Sequence, residues 1–484
     1  MPTPPISLSL SNVISITSLS APSGLGLPNV NTIALFTAEQ PNVAFSLGYK
    51  LYKSSTDVLA DFASNSETVQ HAIAIFAQNP NIMSTNGYLV IVPLTGATAV
   101  KASLQIQDLT FTAVTAGTGG NAITIAYTDT GTQGAEAVTV VGSAISVDIE
   151  DGVSTAEDIK AKLDDSTAAR ALSSTAIAVG EEEHAQTAPV TITNLTGGTS
   201  AGTEPVQTAI TRLISAIYFF GITTTEAISG ATLTSLCAYV QTLNKVMALT
   251  SATSSDLNPN GVFDTVRQAA QNHVRCLFYS VSALQARVFG SAYLSRALST
   301  DFTGSNTAFT MHLKSISGFA SDPIMSDTVL ALAQAAGADV YGNIGGIAQV
   351  FTSGTNGFFD SVYNLLWFMI TEQITGYNFL RQTNYKIAQT EKGMAGLKGS
   401  CNTPCTEAVT AGYVAPGVWD SPDFFGDKDD FIRNIKDFGF YIYSSPVALQ
   451  TSADRQARKS PPIMIALKES GAIHSGSIII QVNP

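Results

Sequence analysis

Residues 65–93 contain the clearest pattern of a helix followed by a strand, NSETVQHAIAIFAQNPNIMSTNGYLVIVP. The predicted helix is capped by Asn65 or Ser66 and has the acidic Glu67 in its first turn. Its apolar face consists of Val69, Ile73 and Phe76, and Asn79 and Pro80 end it. Residues 88–93 form a short apolar run typical of a buried strand. Together with a strand at 32–36 and a further helix between them, this passage predicts the β-α-α-β start of an open α/β layer.

The same alternation returns later in the chain. Short apolar runs at 218–222, 247–250 and 276–279 predict strands, and the amphipathic segments between them predict helices. This pattern is typical of a doubly wound layer. A mixed region follows at 309–347 and a helical block at 357–385. We therefore predict a multidomain α/β fold with mixed α+β parts, which suits a chain of 484 residues.

Residues 101–205 differ in character from the segments on either side. They contain short alternating strands, such as the one with Ile123 and Ile125, and a helix that begins at a capping box of Ser154 and Glu157. This segment has four basic and fourteen acidic residues, a net charge of −10, whereas the whole chain carries −13. We predict a separate acidic, β-rich domain inserted into the α/β body, because such insertions are tolerated at exposed loops.

The composition favours a chain that is covered by other protein molecules. Charged residues make up only 13% of the chain, about half the usual share, and hydrophobic residues make up 45%. A weakly charged surface suits a subunit that contacts its own copies, since charge is depleted at the centres of interfaces. The net charge of −13 argues against nucleic-acid binding, which needs basic surfaces. From Lys428 onward, by contrast, seven basic and five acidic residues give a net charge of +2.

The expected compartment follows from the cysteines and from the absence of targeting patterns. The four cysteines, Cys237, Cys276, Cys401 and Cys405, are too few and too scattered for a disulfide framework, so a reducing compartment is expected. The first residues, MPTPPISLSL, lack the features of a secretory signal, and no apolar run approaches the ~20 residues that span a bilayer. We expect synthesis in the cytoplasm and no membrane binding by the subunit itself.

Each end of the sequence contains a strand pattern with nothing beside it in sequence to pair with. The apolar residues concerned are Val13, Ile14 and Ile16 near the amino end and Ile478, Ile479 and Ile480 near the carboxyl end. A Gly- and Pro-rich joint at 22–28 follows the first of these strands. Soluble monomers normally suppress exposed strand edges, so two of them predict pairing with other copies. Contacts through different surfaces on each copy build an open helical array.

Residue types that often carry chemistry form no recognisable motif. Cys401 and Cys405 are four residues apart, but Pro404 lies between them and no histidine is near, so packed side chains are predicted instead of a metal site. The other candidates, all predicted to be structural, are the five dispersed histidines, a tight turn at Gly342, Gly345 and Gly346, an exposed turn at Glu181, Glu182 and Glu183, and a solvated loop with Asp423, Asp427, Asp429 and Asp430. We predict no catalytic residue, no cofactor and no metal.

Several stretches in the last third of the chain resemble the tail sheath proteins of contractile-tailed bacteriophages (myoviruses). They are KIAQTEKGM at 386–394, GYVAPGVW at 412–419, GFYIY at 439–443, VALQ at 447–450, ADRQARKSPP at 453–462 and GAIHS at 471–475. The resemblance is specific over residues 309–484 and fainter, but ordered as expected, over residues 6–92.

This resemblance implies an open α/β sheath body with an inserted β-rich domain and extended β-strand arms at both ends. The implied divisions are an N-terminal arm and linker at 1–28, body parts at 29–100 and 206–308, an outward-facing insert at 101–205, a C-terminal domain near the tail tube at 309–470, and a C-terminal strand arm at 471–484.

The resemblance also implies how the subunit works. Hexameric rings of a homo-oligomer would stack helically around a tail tube and contract, driving the tube through the host envelope for genome delivery. Arms carrying Val13, Ile14 and Ile16, or Ile478, Ile479 and Ile480, would add strands to a sheet in neighbouring subunits. The basic residues Arg455, Arg458 and Lys459 would face the tube or a neighbour. Implied partners are the tail tube, baseplate and tail terminator proteins, without nucleic acid, and the implied location is the virion tail.

Two other functions fit the sequence less well. One is an α/β hydrolase or transferase whose site has no recognisable motif. The other is a tube or surface-layer protein that polymerises without shortening.

Overall fold

The computed structural model describes residues 26–97, 100–115, 118–197, 202–382 and 385–481. The chain forms two compact units. The first, here called the body, combines residues up to Pro93 with residues from Ile210 onward, and the second, here called the insert, is Leu94–Ala209. The predicted insert at 101–205 lies within the second unit.

Strands and helices are numbered here along the chain. The strands are β1 (Ile33–Thr37), β2 (Lys50–Tyr52), β3 (Leu89–Pro93), β4 (Gly96–Ala97), β5 (Ser103–Ile106), β6 (Leu109–Ala113), β7 (Thr124–Asp129), β8 (Ala137–Val141), β9 (Ala144–Ile149), β10 (Ser173–Ile177), β11 (Val190–Asn194), β12 (Gly202–Thr203), β13 (Gly221–Thr224), β14 (Val246–Ser251), β15 (Val274–Phe278), β16 (Ala338–Ile344), β17 (Ile347–Phe351), β18 (Phe440–Ser444) and β19 (Ile463–Leu467). The α-helices are α1 (Ser55–Leu59), α2 (Glu67–Phe76), α3 (Ala156–Asp165), α4 (Thr167–Leu172), α5 (Val206–Ile214), α6 (Gly230–Gln241), α7 (Val262–Gln268), α8 (Ala283–Ala297), α9 (Asp327–Ala336), α10 (Phe359–Gln382), α11 (Glu391–Ala411), α12 (Lys428–Phe438) and α13 (Ser452–Gln456).

The body is built on an eight-stranded sheet in the order β17-β16-β15-β14-β13-β1-β3-β2. The six strands from β16 to β3 run parallel to their neighbours, and β17 and β2 are antiparallel strands at the two edges. β1 is buried along its whole length, and its Ile33 is paired with Gly221 on one side and Leu89 on the other. Strands that are covered on both faces consist of continuous apolar runs, and for this reason these strands could be predicted from the sequence.

A large apolar core packs α2, α8, α10 and α11 against the sheet. α2 begins at Ser66, whose side chain accepts a hydrogen bond from the Val69 N–H, and buries Val69 and Ile75. The same core includes residues of α8, of the first half of α10 and of the end of α11. The multidomain, mixed α/β fold predicted from the sequence is therefore confirmed.

The insert has a separate apolar core and is rich in β-structure. It contains a three-stranded sheet, β10-β6-β5, a four-stranded sheet, β11-β7-β9-β8, and the short pair β12-β4. The capping box predicted at Ser154 and Glu157 is wrong by one residue, because Thr155 and Asp158 form it. The Ser154 hydroxyl instead donates to the Glu136 carboxylate at 2.8 Å, so it is occupied elsewhere.

The region after β17 contains two long antiparallel-packed helices and a small sheet. α10 occupies most of the predicted helical block at 357–385, and α11 packs against it. Asp423, Asp427 and Asp429 of the predicted solvated loop are exposed. The loop is shorter than predicted, because Asp427 caps α12 by accepting from the backbone N–H groups of Asp429 and Asp430 at 3.0 Å. None of the described helices is long and apolar enough to cross a membrane.

Candidate subunit-linking surfaces

A two-stranded antiparallel sheet lies near the carboxyl end of the body. β18 and β19 pair from Phe440 opposite Leu467 to Ser444 opposite Ile463. Successive side chains alternate between faces, so Phe440 and Ile442 pack on the main core. Tyr441 points the other way, onto Phe431 of α12 at 5.4 Å between ring centroids. The sheet is therefore held between two apolar layers.

Both outer edges of this sheet lack a partner strand among the described residues. An antiparallel strand at an edge presents a row of backbone N–H and C=O groups that point away from its single partner. An extended segment of another chain can satisfy these groups by adding a strand. The β18-β19 sheet thus has the geometry of an acceptor for one strand on each side.

The chain leaves the body soon after β19. Ser470 makes the last backbone–backbone hydrogen bond, from its N–H to the Tyr413 carbonyl at 2.8 Å, and residues 471–481 belong to no helix or strand. Ile478, Ile479 and Ile480 are 80–89% exposed. We call residues 471–481 the carboxyl arm. The predicted strand in it remains a prediction, because a strand needs a partner. Val13, Ile14 and Ile16 lie outside the described residues.

One residue of the carboxyl arm, His474, is packed against the body. Its ring stacks on that of His312, with centroids 4.4 Å apart and planes 19° from parallel, and Phe358 meets it edge-on at 4.7 Å. His474 Nε2 is also hydrogen bonded to Thr310 Oγ1 at 3.0 Å. The sequence gives no local signal for this contact, since Thr310 and His474 are 164 residues apart.

His312 is itself fixed by β17 and its end. The backbone N–H of Thr352 donates to His312 Nδ1 at 3.3 Å, and the Thr352 hydroxyl is 3.1 Å from the same nitrogen. Nδ1 must therefore carry a lone pair, which describes a neutral ring. Burial, and then the neighbouring His474, lower the pKa of His312, while Asp339 and a backbone hydrogen bond with His474 act in the opposite direction.

The predicted basic residues lie together on and after the short helix α13. Arg455 is tied to the body, since its Nη2 donates to the Val447 carbonyl at 2.9 Å. Lys459 Nζ is 3.8 Å from Asp454, with 69% of its side chain exposed. Arg458 is exposed and has a positive φ of 55°. The structure brings these three side chains to one exposed stretch, and their predicted role facing a tube or neighbour stays a prediction.

Where a doubly wound sheet usually binds ligands, one of the protein's own carboxylates occupies the start of α2. Strand order reverses between β1 and β13, and in such folds ligands bind beyond the carboxyl ends of these strands. Here the Glu39 carboxylate accepts from the N–H groups of Glu67 and Thr68 at 3.0 and 2.9 Å. It occupies the start of α2, where an anionic ligand group would otherwise sit.

A chain of hydrogen bonds beside it has the residue types of a hydrolase triad. His71 Nδ1 is 2.7 Å from Ser291 Oγ, and His71 Nε2 is 3.4 Å from Glu67 Oε1. Ser291 and His71 are both fully buried, and Arg287 holds Glu67 through two hydrogen bonds of 2.8 and 3.1 Å. A substrate cannot reach Ser291, so this arrangement joins α2 to α8 and is structural. A nearby cleft of about 330 Å³, at the carboxyl ends of β13 and β14, does not include Ser291.

Two groups contain residue types that can ligate metals. Cys401 and Cys405 of α11 are buried beside Glu372 of α10, and the Cys405 thiol is 3.7 Å from Glu372 Oε1. Burial raises the pKa of Glu372 to about 7 and that of Cys401 to about 12, so the Cys401 thiol stays protonated, which disfavours metal binding. In the insert, His184 Nδ1 is 2.7 Å from Asp108 and 3.4 Å from Glu181. Among the described residues, the ligand atoms of these three side chains are close enough to one another to share an ion. The contacts of His184 with the two carboxylates hold the loop at Glu181.

Comparison with known proteins finds a family that the carboxyl part of the chain resembles. Residues 359–482, which include α10 to α13, the β18-β19 sheet and the carboxyl arm, match the family described as E217 tail sheath protein gp31-like, C-terminal domain. This match confirms the resemblance to contractile tail sheath proteins over these residues, and with it the prediction of a structural protein that is not an enzyme. No curated protein is significantly similar in sequence.

Three solved chains are loosely similar to the whole molecule. The sheath tail protein from Desulfitobacterium hafniense is 11% identical, with a TM-score of 0.45 over 93% of this chain and 100% of that one. A chain of the anti-feeding prophage baseplate is 9% identical, with a TM-score of 0.49 over 97% of this chain and 98% of that one. A chain of the anti-feeding prophage helical sheath in its contracted state is 8% identical, with a TM-score of 0.49 over 99% of both.

Proposed function

We propose that this chain is the sheath subunit of a contractile phage tail. One observation carries the proposal: the segment that matches a tail sheath domain contains a two-stranded sheet with both edges open and, after it, an exposed arm rich in isoleucine. The two features are complementary, since an extended arm can form a strand only beside a sheet edge, and an open edge has backbone groups that a further strand can bond. Copies of one chain that exchange them form a continuous lattice.

In the proposed lattice, Ile478, Ile479 and Ile480 of one subunit pair with an edge of the β18-β19 sheet in a neighbour. The amino-terminal segment with Val13, Ile14 and Ile16 of another subunit pairs with the other edge. The link consists mainly of backbone hydrogen bonds, which depend little on side-chain identity. It therefore persists while the bodies rotate and exchange their side-chain contacts.

Contraction then requires only that the second set of contacts between bodies has the lower free energy. Hexameric rings stacked around a tail tube would shorten and drive the tube through the host envelope for genome delivery. The region from residue 309 onward would lie near the tube, with Arg455, Arg458 and Lys459 facing it or a neighbour. The acidic insert would face outward. Expected partners are the tail tube, baseplate and tail terminator proteins, and the subunit would be made in the host cytoplasm and reside in the virion tail.

A proline substitution tests the proposed backbone link directly. Ile479→Pro removes a backbone N–H and fixes φ in the middle of the proposed strand, whereas Ile479→Val keeps both the N–H and a β-branched side chain. We expect electron microscopy of the purified full-length chain to reveal helical tubes or ring stacks for the wild type and for Ile479→Val. Ile479→Pro, like deletion of residues 475–484, should leave folded subunits that do not form long tubes.

Two results would contradict the proposal. Normal assembly of the deletion variant would remove the arm from the lattice. Wild-type tubes that form but never thicken and shorten would favour a tube or surface-layer protein.

A further inference from the structure

The carboxyl arm is attached to its own subunit at a second point, beyond the end of the fold. Gly471, Ala472 and Ile473 are exposed, His474 is half-buried, and the residues after it are exposed again. A single residue therefore interrupts an otherwise solvent-facing segment. Its three partners, Thr310, His312 and Phe358, come from two separate parts of the body.

The partners of His474 are held by regular structure. His312 is hydrogen bonded to Thr352, which directly follows β17, and Phe358 directly precedes α10. The receiving surface is thus fixed by the edge of the main sheet and by the longest helix. A ring placed on it defines both the position and the direction in which the arm leaves.

We propose that His474 is the positioning residue of the carboxyl arm: its stack on His312 fixes the point from which the linking strand departs toward the neighbouring subunit. This inference rests on the proposed function of the arm. With His474 fixed, only Ser475, Gly476 and Ser477 separate the anchor from the first isoleucine of the strand. Without it, the last fixed residue is Ser470, and the spacer grows from three residues to seven.

A longer spacer lowers the effective concentration of the strand at the neighbour's edge. The loop-closure relation gives a decrease of about fourfold when a flexible spacer grows from three to seven residues. Short spacers also limit the directions in which a strand can reach. Loss of the anchor should therefore weaken assembly without abolishing it, which differs from the effect of deleting the arm.

Acid should weaken the contact between His474 and His312, because their two imidazole rings are stacked face to face. Charged and titratable groups around the pair are Lys314 beside His312, Asp339 on β16, Asp360 on α10, and Arg275 and Glu469 near Asp360. The folded environment lowers the pKa of His312 below its ordinary 6.5 and so favours the neutral ring. The contact between His474 and His312 is therefore fully formed above pH 6.5 and weakens as the pH falls below 6.5. Protonation of His312 would also remove the Nδ1 lone pair that accepts from the Thr352 N–H.

The first test measures the anchor in the unassembled subunit. A spin label on Ala472→Cys lies between Ser470 and His474, and the four native cysteines are buried. We expect a restricted spectrum in this protein and in a version that also carries Ser475→Ala, and a mobile spectrum when His474→Ala is added. Equal mobility with and without His474→Ala would overturn the proposal, whether or not the chain assembles.

The second test measures assembly by sedimentation at pH 7.5 and pH 5.5. At the higher pH we expect His474→Ala to raise the critical concentration about fourfold, with Ser475→Ala unchanged. His312→Phe keeps a ring for the stack and removes the group whose protonation weakens it, so acid should change its assembly less than that of the wild type, while the wild type at pH 5.5 approaches His474→Ala. The proposal fails if His474→Ala assembles like the wild type at pH 7.5, or if His312→Phe loses assembly in acid as the wild type does. Failure of the arm-deletion test, by contrast, would count against the proposed function.

Discussion

At the scale of single residues, the interior of the body depends on the carboxylate of Asp339. Asp339 is fully buried on β16 and accepts hydrogen bonds from Arg275 Nε at 2.8 Å, from the Tyr293 hydroxyl at 2.6 Å and from the Ser353 N–H at 2.8 Å. Arg275 in turn donates to the Gly357 carbonyl at 2.6 Å. The group joins β15, β16 and α8 to the segment before α10. Asp339, Arg275 and Tyr293 are buried away from water, so the polar groups of each depend on hydrogen bonds from the others.

We expect Asp339→Asn to lower the free energy of unfolding of the body by about 3–5 kcal/mol, because Arg275 keeps a buried charge without its counter-ion. Asp430→Asn is the matched control. It breaks the exposed pair between Asp430 and Arg433, whose atoms are 2.6 Å apart, and should have a far smaller effect. Urea unfolding followed by the fluorescence of Trp367 and Trp419, both in the body, measures the difference. Equal destabilisation by the two substitutions would contradict this account of the buried pair.

Residues whose roles depend on near neighbours in sequence could be predicted, and others could not. Ser66 was one of two expected caps of α2, and it forms the cap. The sequence predicts the capping box at Thr155 and Asp158 one residue too early, because Ser154 with Glu157 and Thr155 with Asp158 both have the spacing of this motif. The position of His474 could not be predicted, because its partners lie far away in sequence and a lone histidine carries no periodic pattern.

At the scale of secondary structure, two glycines inside helices have opposite surroundings. A Cβ atom at Gly290 of α8 would lie 2.5 Å from Thr250 Cγ2 and 3.3 Å from Ala248 Cβ, so α8 rests directly on β14. A Cβ atom at Gly376 of α10 would have nothing within 4 Å. The first glycine is required by close packing, whereas the second only costs backbone entropy.

We expect Gly290→Ala to destabilise the body by about 1–3 kcal/mol, since β14 and α8 must separate. Gly376→Ala should stabilise it by about 0.5–1 kcal/mol, since alanine is the better helix former and meets open space. The two variants carry the same substitution and control for each other. Thermal unfolding followed by circular dichroism should move the midpoint in opposite directions. A shift of the same sign in both would contradict the packing described for α8.

Elements with strong periodicity were predicted, while those formed by tertiary packing were not. The apolar runs expected at 88–93 and 276–279 correspond to β3 and β15, because strands buried on both faces contain few other residues. α11 carried no such pattern. It contains Gly393, Gly396, Gly399 and Pro404, all poor helix residues, and it is held by packing on α10. The open edges of the β18-β19 sheet are likewise a property of the assembled fold and not of either strand.

At the scale of the whole molecule, the first and last residues of the insert form a short hydrogen-bonded strand pair. β4 and β12 pair so that Ala97 lies opposite Gly202 and Gly96 opposite Thr203. The Thr95 N–H and hydroxyl both bond to the Glu204 carboxylate, at 3.1 and 3.0 Å. The two chain segments that enter and leave the insert are therefore one strand spacing apart. The insert also has its own apolar core, with Phe111, Ile125 and Val147 fully buried.

We expect the body to fold and assemble when residues 98–201 are replaced by Asn-Gly, because a two-residue turn is the natural connection between directly paired antiparallel residues. Its unfolding midpoint should stay close to that of the body in the full chain. The matched control removes residue 97 as well. This shifts the pairing by one residue, turns the side chains of one strand to the opposite face and should lower the midpoint. Scanning calorimetry measures both variants, and electron microscopy then compares their tubes with those of the full chain.

A body that aggregates after the in-register excision would mean that the insert is part of the folding unit. Folded subunits that no longer form tubes would instead assign the insert a direct role in assembly.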